Sequence, residues 1–85
     1  MKRFEYTLTN PMGLHMRPAG IMVNRLAETN CGVTLHCGAR DANAKSILSV
    51  MAMSAKCGER VTVDVSGEDE EALSRELEDF FRQNF

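Results

Sequence analysis

An imidazole, a guanidinium and a proline stand close together in Gly13-Leu14-His15-Met16-Arg17-Pro18. Proline is tolerated in the first turn of a helix, where the amide it lacks would have no intrahelical partner. Pro18 therefore fixes a helix start within a few residues of His15, beside unpaired amides and the positive end of the helix dipole. Arg17 adds a cation whose donors match phosphate geometry. Such a corner suits an anion. Imidazole is also a nucleophile, substantially neutral near pH 7 because its ordinary pKa is about 6.5. A nucleophile in an anion-stabilising corner points to a covalent phosphohistidine. The same spacing also describes an exposed histidine cap beside an ordinary surface arginine, and spacing alone leaves both open.

A second candidate lies in Ala44-Lys45-Ser46-Ile47-Leu48-Ser49-Val50-Met51, where Ser46 opens a short helix. Serine is among the best N-cap residues, and capping by itself explains its position. A short helix cannot bury Ile47 and Leu48 equally, so at least one of them is expected at the surface. Cys31, His36 and Cys37 invite a metal reading, but along a strand the two cysteines share one face and His36 takes the other. No metal site is expected there; the cysteines read as small buried hydrophobes. Cys57, beside Gly58 in a turn, is expected to be exposed and oxidisable. The run Glu68-Asp69-Glu70-Glu71 reads as the acidic start of a helix and not as a catalytic carboxylate pair.

These candidates need a scaffold. Eighty-five residues, 44% hydrophobic and 26% charged, fit one globular domain spanning 1–85. A net charge of −2 without a basic run argues against nucleic acid as a partner. No apolar stretch is long enough for a membrane span and no signal peptide is evident. Three cysteines without a CxxC pair suggest no disulfide framework and point to the cytoplasm.

Phe4, Tyr6 and Leu8 alternate as in a half-buried strand, as do Val33, Leu35 and Cys37, and again Val61, Val63 and Val65. Gly38-Ala39 suits a tight hairpin loop with glycine first, leading into a further short extended run. From Met16 to about Glu28 the period becomes helical, with Ala19, Met22, Val23 and Leu26 on one stripe. A second short helix follows from Ser46. A third over the C-terminal stretch carries Leu73, Leu77, Phe80 and Phe81. The order is βαββαβα. Strands with one apolar face each predict an α+β open-faced sandwich, a four-stranded antiparallel sheet with three helices on one face.

Gly13 to Ala19 reads Gly-Leu-His-Met-Arg-Pro-Ala, which resembles the active-centre signature Gly-Leu-His-x-Arg-Pro-Ala of the HPr family. Members are the histidine-containing phosphocarriers of the bacterial phosphoenolpyruvate-dependent sugar phosphotransferase system. The resemblance implies that enzyme I hands a phosphoryl group to Nδ1 of His15, which passes it to the IIA domain of a sugar permease. Arg17 and the helix-start amides of Met16 and Arg17 then stabilise the phosphoryl oxygens. No cofactor is implied, and a monomer suffices. Lys45-Ser46-Ile47 is similar to the regulatory site of the Gram-positive members. There HPr kinase/phosphorylase modifies the serine, hindering enzyme I and promoting binding to catabolite control protein A. Ile47, Leu48 and Met51 correspond to a partner-docking patch.

Three departures from the family pattern are visible. Met12 stands where polar residues are frequent, Ser49 and Ser54 where glycine is frequent, and Gly20 lies inside the first helix at about 0.5–1 kcal/mol relative to alanine. Two other functions compete with the carrier. One is a regulatory adaptor working through phosphorylated Ser46 alone, but adaptors of that kind lack the histidine that this chain keeps. The other is a ferredoxin-like small-molecule-binding module, which leaves the Gly13–Ala19 signature unused.

Overall fold

A computed structural model describes residues Met1–Phe85. The elements are β1 (Lys2–Thr7), α1 (Met16–Leu26), β2 (Gly32–Cys37), β3 (Arg40–Asn43), α2 (Ile47–Ala52), β4 (Arg60–Ser66) and α3 (Glu70–Asn84). The sheet is antiparallel throughout, ordered β1-β4-β2-β3. The order βαββαβα and the open-faced architecture agree with the sequence pattern.

Alternation decides which side chains turn inward. Val61, Val63 and Val65 of the central strand β4 are wholly buried, as is Leu35 of β2. Each such side chain contributes about 1.5–3 kcal/mol relative to an exposed position. Against them pack Ala19, Met22 and Leu26 of α1, Val50 of α2, and Leu73, Leu77 and Phe81 of α3, in one hydrophobic cluster. The helical periods at these positions present one apolar stripe each, so every helix can cover the same side of the sheet.

Local chemistry sets the ends of the elements. Gly38 has φ of +63° in the two-residue loop between paired Cys37 and Arg40, the left-handed first position that a type II′ hairpin requires. Ser46 caps α2, its hydroxyl accepting from the Ser49 amide at 3.2 Å. Helix α1 ends two residues before the expected Glu28, because Glu28 and Thr29 bond back to Arg25 and Leu26 in tightened i→i−3 turns. Ser54 adopts a φ of +50° just after α2, a left-handed conformation that L side chains resist. Gly20 costs helix propensity for no steric reason, since a Cβ there would meet nothing within 4 Å. No helix is long and apolar enough to cross a membrane.

The other face of the sheet is polar and carries a line of charges touching all four strands. Arg3 of β1 makes a bidentate pair with Asp64 of β4, at 2.6 and 2.9 Å. Asp64 also takes the Nε2 hydrogen of His36 on β2 at 2.9 Å, and His36 Nδ1 meets Asp41 of β3 at 2.7 Å. With a carboxylate on each ring nitrogen, both nitrogens donate and the imidazolium is favoured. The hydrogen bond to Asp41 raises the His36 pKa above the ordinary 6.5, against the opposing effect of burial and with help from Asp64. The bonds from Arg3 hold the Asp64 carboxyl at about 2, down from the ordinary 3.8.

The two shifts bound the stability on both sides. Asp64 contributes above pH 3.8 and loses its contribution as pH falls toward about 2. His36 contributes fully below pH 6.5 and loses its contribution as pH rises through its raised folded value. Thermal unfolding across pH is therefore expected to show losses on both limbs. In His36→Gln the alkaline loss should disappear while the acid limb survives through Arg3 and Asp64.

Candidate functional site

The loop before α1 is folded by its own first residue. Asn10 accepts from the Met12 amide through Oδ1 at 2.9 Å and from the Gly13 amide through its carbonyl at 2.8 Å. Gly13 then passes flat against the segment that follows α2. A Cβ at Gly13 would lie 2.5 Å from the Ala55 carbonyl oxygen and 2.8 Å from Lys56 Cα, and φ there is +63°. Only glycine fits both the conformation and the space. The neighbouring Leu14 is buried and its amide bonds the Ala55 carbonyl at 3.1 Å.

His15 follows in extended conformation as the N-cap residue of α1, with φ −107° and ψ 162°. Its side chain does not cap the helix. The first helical bond runs from the Ala19 amide to the His15 carbonyl at 3.1 Å. The amides of Met16 and Arg17 have no acceptor, and Pro18 offers none, as its place in the first turn predicts. The unsatisfied end of α1 is left facing the surface at the histidine.

The imidazole is half-buried. Its Nδ1 lies 3.0 Å from the Gly13 carbonyl oxygen, which can only accept, so Nδ1 is a donor and in the neutral ring Nε2 carries the lone pair. The ring also stands edge-to-face with Phe85, centroids 6.0 Å apart at 89°. A shallow concavity of about 380 Å³ is lined by Met12, His15, Met16 and Arg17, with both methionines mostly exposed.

Arg17 is exposed and makes no hydrogen bond or salt bridge. In this it stands alone among the arginines: Arg3, Arg25, Arg40, Arg60, Arg75 and Arg82 each face a carboxylate within 4.0 Å. A free guanidinium, two free amides and an imidazole lone pair therefore meet in one place. This set can bind an oxyanion and attack its central atom. A second hollow, about 400 Å³, lies between the end of α1 and the start of α3. Glu28, Glu68, Asp69 and Glu76 line it with Arg25, so its lining is mainly acidic, opposite in sign to the guanidinium at the His15 corner.

The second candidate is built differently. Ser46 is half-buried, its hydroxyl engaged with Ser49 and its amide bonded to the Asn43 carbonyl at 3.0 Å. Lys45 reaches across to the Thr29 carbonyl at 2.7 Å, tying the entry of α2 to the end of α1. Ile47 and Met51 pack partly against the core, whereas Leu48 is 81% exposed, which resolves the division expected of the trio. Helices α1 and α2 pack side by side, so the two candidate sites sit on adjoining elements.

The residues set aside in the sequence lie apart. Cys31 and Cys37 are buried and His36 is on the opposite face between its two carboxylates. Cys31 precedes β2 instead of lying in it, and its thiol donates to the Glu68 carbonyl at 2.7 Å. Cys57 is exposed. Two residues near His15 had no part in the sequence argument, Asn10 and Phe85. Asn10 carried a turn signal in Asn-Pro; Phe85 lies four residues beyond Phe81 and so continues the stripe of α3, which was the one available sign.

A family model described as the PTS HPr component phosphorylation site matches residues 2–83. The chain is similar to phosphocarrier protein HPr of Xylella fastidiosa (strain Temecula1), 35% identical over 85 residues, 100% of this chain and 96% of that one. Among solved structures it is similar to HPr-C-His from Thermoanaerobacter tengcongensis, with TM-score 0.88 and 29% identity over 96% of this chain and 92% of that one. It is also similar to Crh, the Bacillus subtilis catabolite repression containing protein, seen as a swapped dimer, with TM-score 0.76 and 28% identity over 98% of this chain and 95% of that one.

The Gly13 contact makes a direct claim on stability. Gly13→Ala must either abandon the left-handed φ or push the Ala55–Lys56 backbone away. A loss of about 2 kcal/mol or more is expected in denaturant unfolding, well above an ordinary surface substitution.

Proposed function

The chain belongs to the HPr family of phosphotransferase-system phosphocarriers, and we propose that it takes a phosphoryl group from enzyme I on His15 and gives it to IIA domains of sugar permeases. The observation that carries this reading is the unpaired Arg17 beside open amides at the histidine, in a molecule that neutralises every other arginine. Attack by an imidazole nitrogen forms the nitrogen–phosphorus bond as the bond to the donor breaks. The phosphoryl oxygens are met by the Arg17 guanidinium and the Met16 and Arg17 amides. Onward transfer reverses the step on the IIA acceptor, with the same groups holding the oxygens.

The reactive nitrogen of the family reading is Nδ1, which the resting ring commits to Gly13. Phosphorylation there requires the ring to give up that bond and carry its proton on Nε2 instead. The Gly13 carbonyl then acts as a latch on the resting state. The docking surface of the reading is the apolar rim: Met12 and Met16 at the concavity, with Ile47, Leu48 and Met51 on α2. Adaptable methionine and leucine side chains suit a patch shared by several partners. A cytoplasmic monomer meets all these requirements.

Ser46 is proposed as the regulatory site, phosphorylated from ATP by HPr kinase/phosphorylase and, once modified, favouring catabolite control protein A over enzyme I. A phosphate at the helix N-terminus is favoured by the dipole and can take over the Ser49 amide. The alternative, an adaptor using Ser46 alone, draws support from the likeness to Crh. The free Arg17 has no task in that alternative, which favours the carrier.

Purified protein with enzyme I, phosphoenolpyruvate and Mg²⁺ tests the reading by intact mass before and after mild acid. Wild type is expected to gain one acid-labile phosphoryl group and His15→Ala none. Arg17→Ala should slow acceptance about 10²-fold, the usual result of removing a charge-stabilising donor. Nitrogen-15 NMR should place the adduct on Nδ1; an Nε2 adduct would mean that the resting tautomer reacts directly. No adduct on wild type, beside a working control carrier, would leave the adaptor. Regulation has its own test: Ser46→Asp should unfold as wild type does while accepting phosphoryl from enzyme I more slowly, and an unchanged rate would remove Ser46 from the encounter.

A further inference from the structure

We propose that Phe85 is a positioning residue for His15, fixing the plane and the tautomer of the imidazole; its kinetic consequence rests on the phosphocarrier reading above. One hydrogen bond, from Nδ1 to the Gly13 carbonyl, is the only polar tie on a half-buried ring. A single tie leaves an imidazole free to swing about it. The second constraint is the Phe85 ring, edge-to-face at 6.0 Å and 89°, a geometry that aromatic pairs prefer.

Phe85 is itself held rigidly. It is 1% exposed. Its ring packs on Phe81 with centroids 5.0 Å apart and on Phe80 at 5.9 Å. Phe81 in turn contacts Phe4 and Tyr6 of β1, at 5.7 and 5.9 Å, so a continuous aromatic cluster runs from the sheet to the histidine. The main chain makes a second connection. The Phe85 carbonyl accepts from the Thr9 and Asn10 amides, both at 2.8 Å, and the Asn10 carboxamide donates to the Asn84 carbonyl at 3.4 Å. Asn10 is the residue that folds the loop presenting the Gly13 carbonyl.

Both constraints on the imidazole therefore originate at one junction, where the end of α3 meets Asn10. The apolar Phe85 ring offers no hydrogen bond that would compete with Gly13 for Nδ1. It restricts the ring to motion past a fixed wall, which limits the geometries from which transfer must start.

The test is NMR on the intact protein, at about pH 8 where an imidazole is neutral. Wild type should show nuclear Overhauser contacts between Phe85 ring protons and the His15 ring, with nitrogen-15 shifts of a dominant Nδ1–H tautomer. Phe85→Leu keeps an apolar side chain but removes the ring. With its amide spectrum otherwise native, its His15 nitrogen shifts should move toward an averaged tautomer. Its phosphoryl acceptance should rise about threefold or more in kcat with KM for enzyme I unchanged, since an averaged tautomer leaves Nδ1 free of the Gly13 latch in a larger share of molecules. Wild-type shifts retained in a folded Phe85→Leu would overturn the proposal, as would the absence of the Phe85–His15 contact in wild type. If Phe85→Leu does not fold, the wild-type contact and tautomer decide alone. If wild type accepts no phosphoryl group, the carrier reading fails while the tautomer measurement still judges the role of Phe85.

Discussion

The approach of Gly13 to the Ala55–Lys56 backbone is the constraint on which the site depends. It joins two stretches far apart in sequence, the loop that enters α1 and the turn that leaves α2. Because no side chain separates them, the Leu14 amide reaches the Ala55 carbonyl and α1 begins at a defined place. From that anchor follow the extended backbone of His15, the carbonyl on its Nδ1 and the unpaired amides of Met16 and Arg17. The chemistry is thus built from main chain as much as from side chains. Backbone groups at a helix start are rigid and cannot be neutralised by a neighbouring rotamer.

Charge pairing sharpens the same picture. The surface satisfies its arginines with carboxylates and its open sheet face with the line Arg3, Asp64, His36 and Asp41. Exposed pairs of this kind add little stability individually. They do leave Arg17 as the arginine free to meet an incoming anion. The two histidines show how environment divides one side chain into two roles. His36, between two carboxylates, has its cationic form favoured and links three strands. His15, against a carbonyl and a phenyl ring, has one nitrogen tied and the other without a partner.

Much of this was legible in order along the chain. Val61, Val63 and Val65 announced a central strand because strand period and burial coincide; Leu73, Leu77 and Phe81 did the same for α3 at helical period. Ser46 as a cap and Gly38 as a hairpin residue were readable because both act within a few residues. That one of Ile47 and Leu48 must be exposed followed from helix geometry; that it is Leu48 was decided by packing. The place of Cys31 outside β2, the early end of α1 and the left-handed Ser54 were not readable, since local alternatives of nearly equal energy are decided by what packs against them.

The sequence by itself determined the element order, the inward faces and the residue types that meet at the start of α1, because periodicity, capping and the Gly13–Ala19 motif are local properties. Tertiary structure alone decided the strand order β1-β4-β2-β3, the need for glycine at position 13, the isolation of Arg17 and the arrival of Phe85 at the imidazole. Each of these is a contact between residues distant in the chain. Such contacts form only when the whole apolar face closes over one core, and no local pattern of residues records which partners that closure brings together.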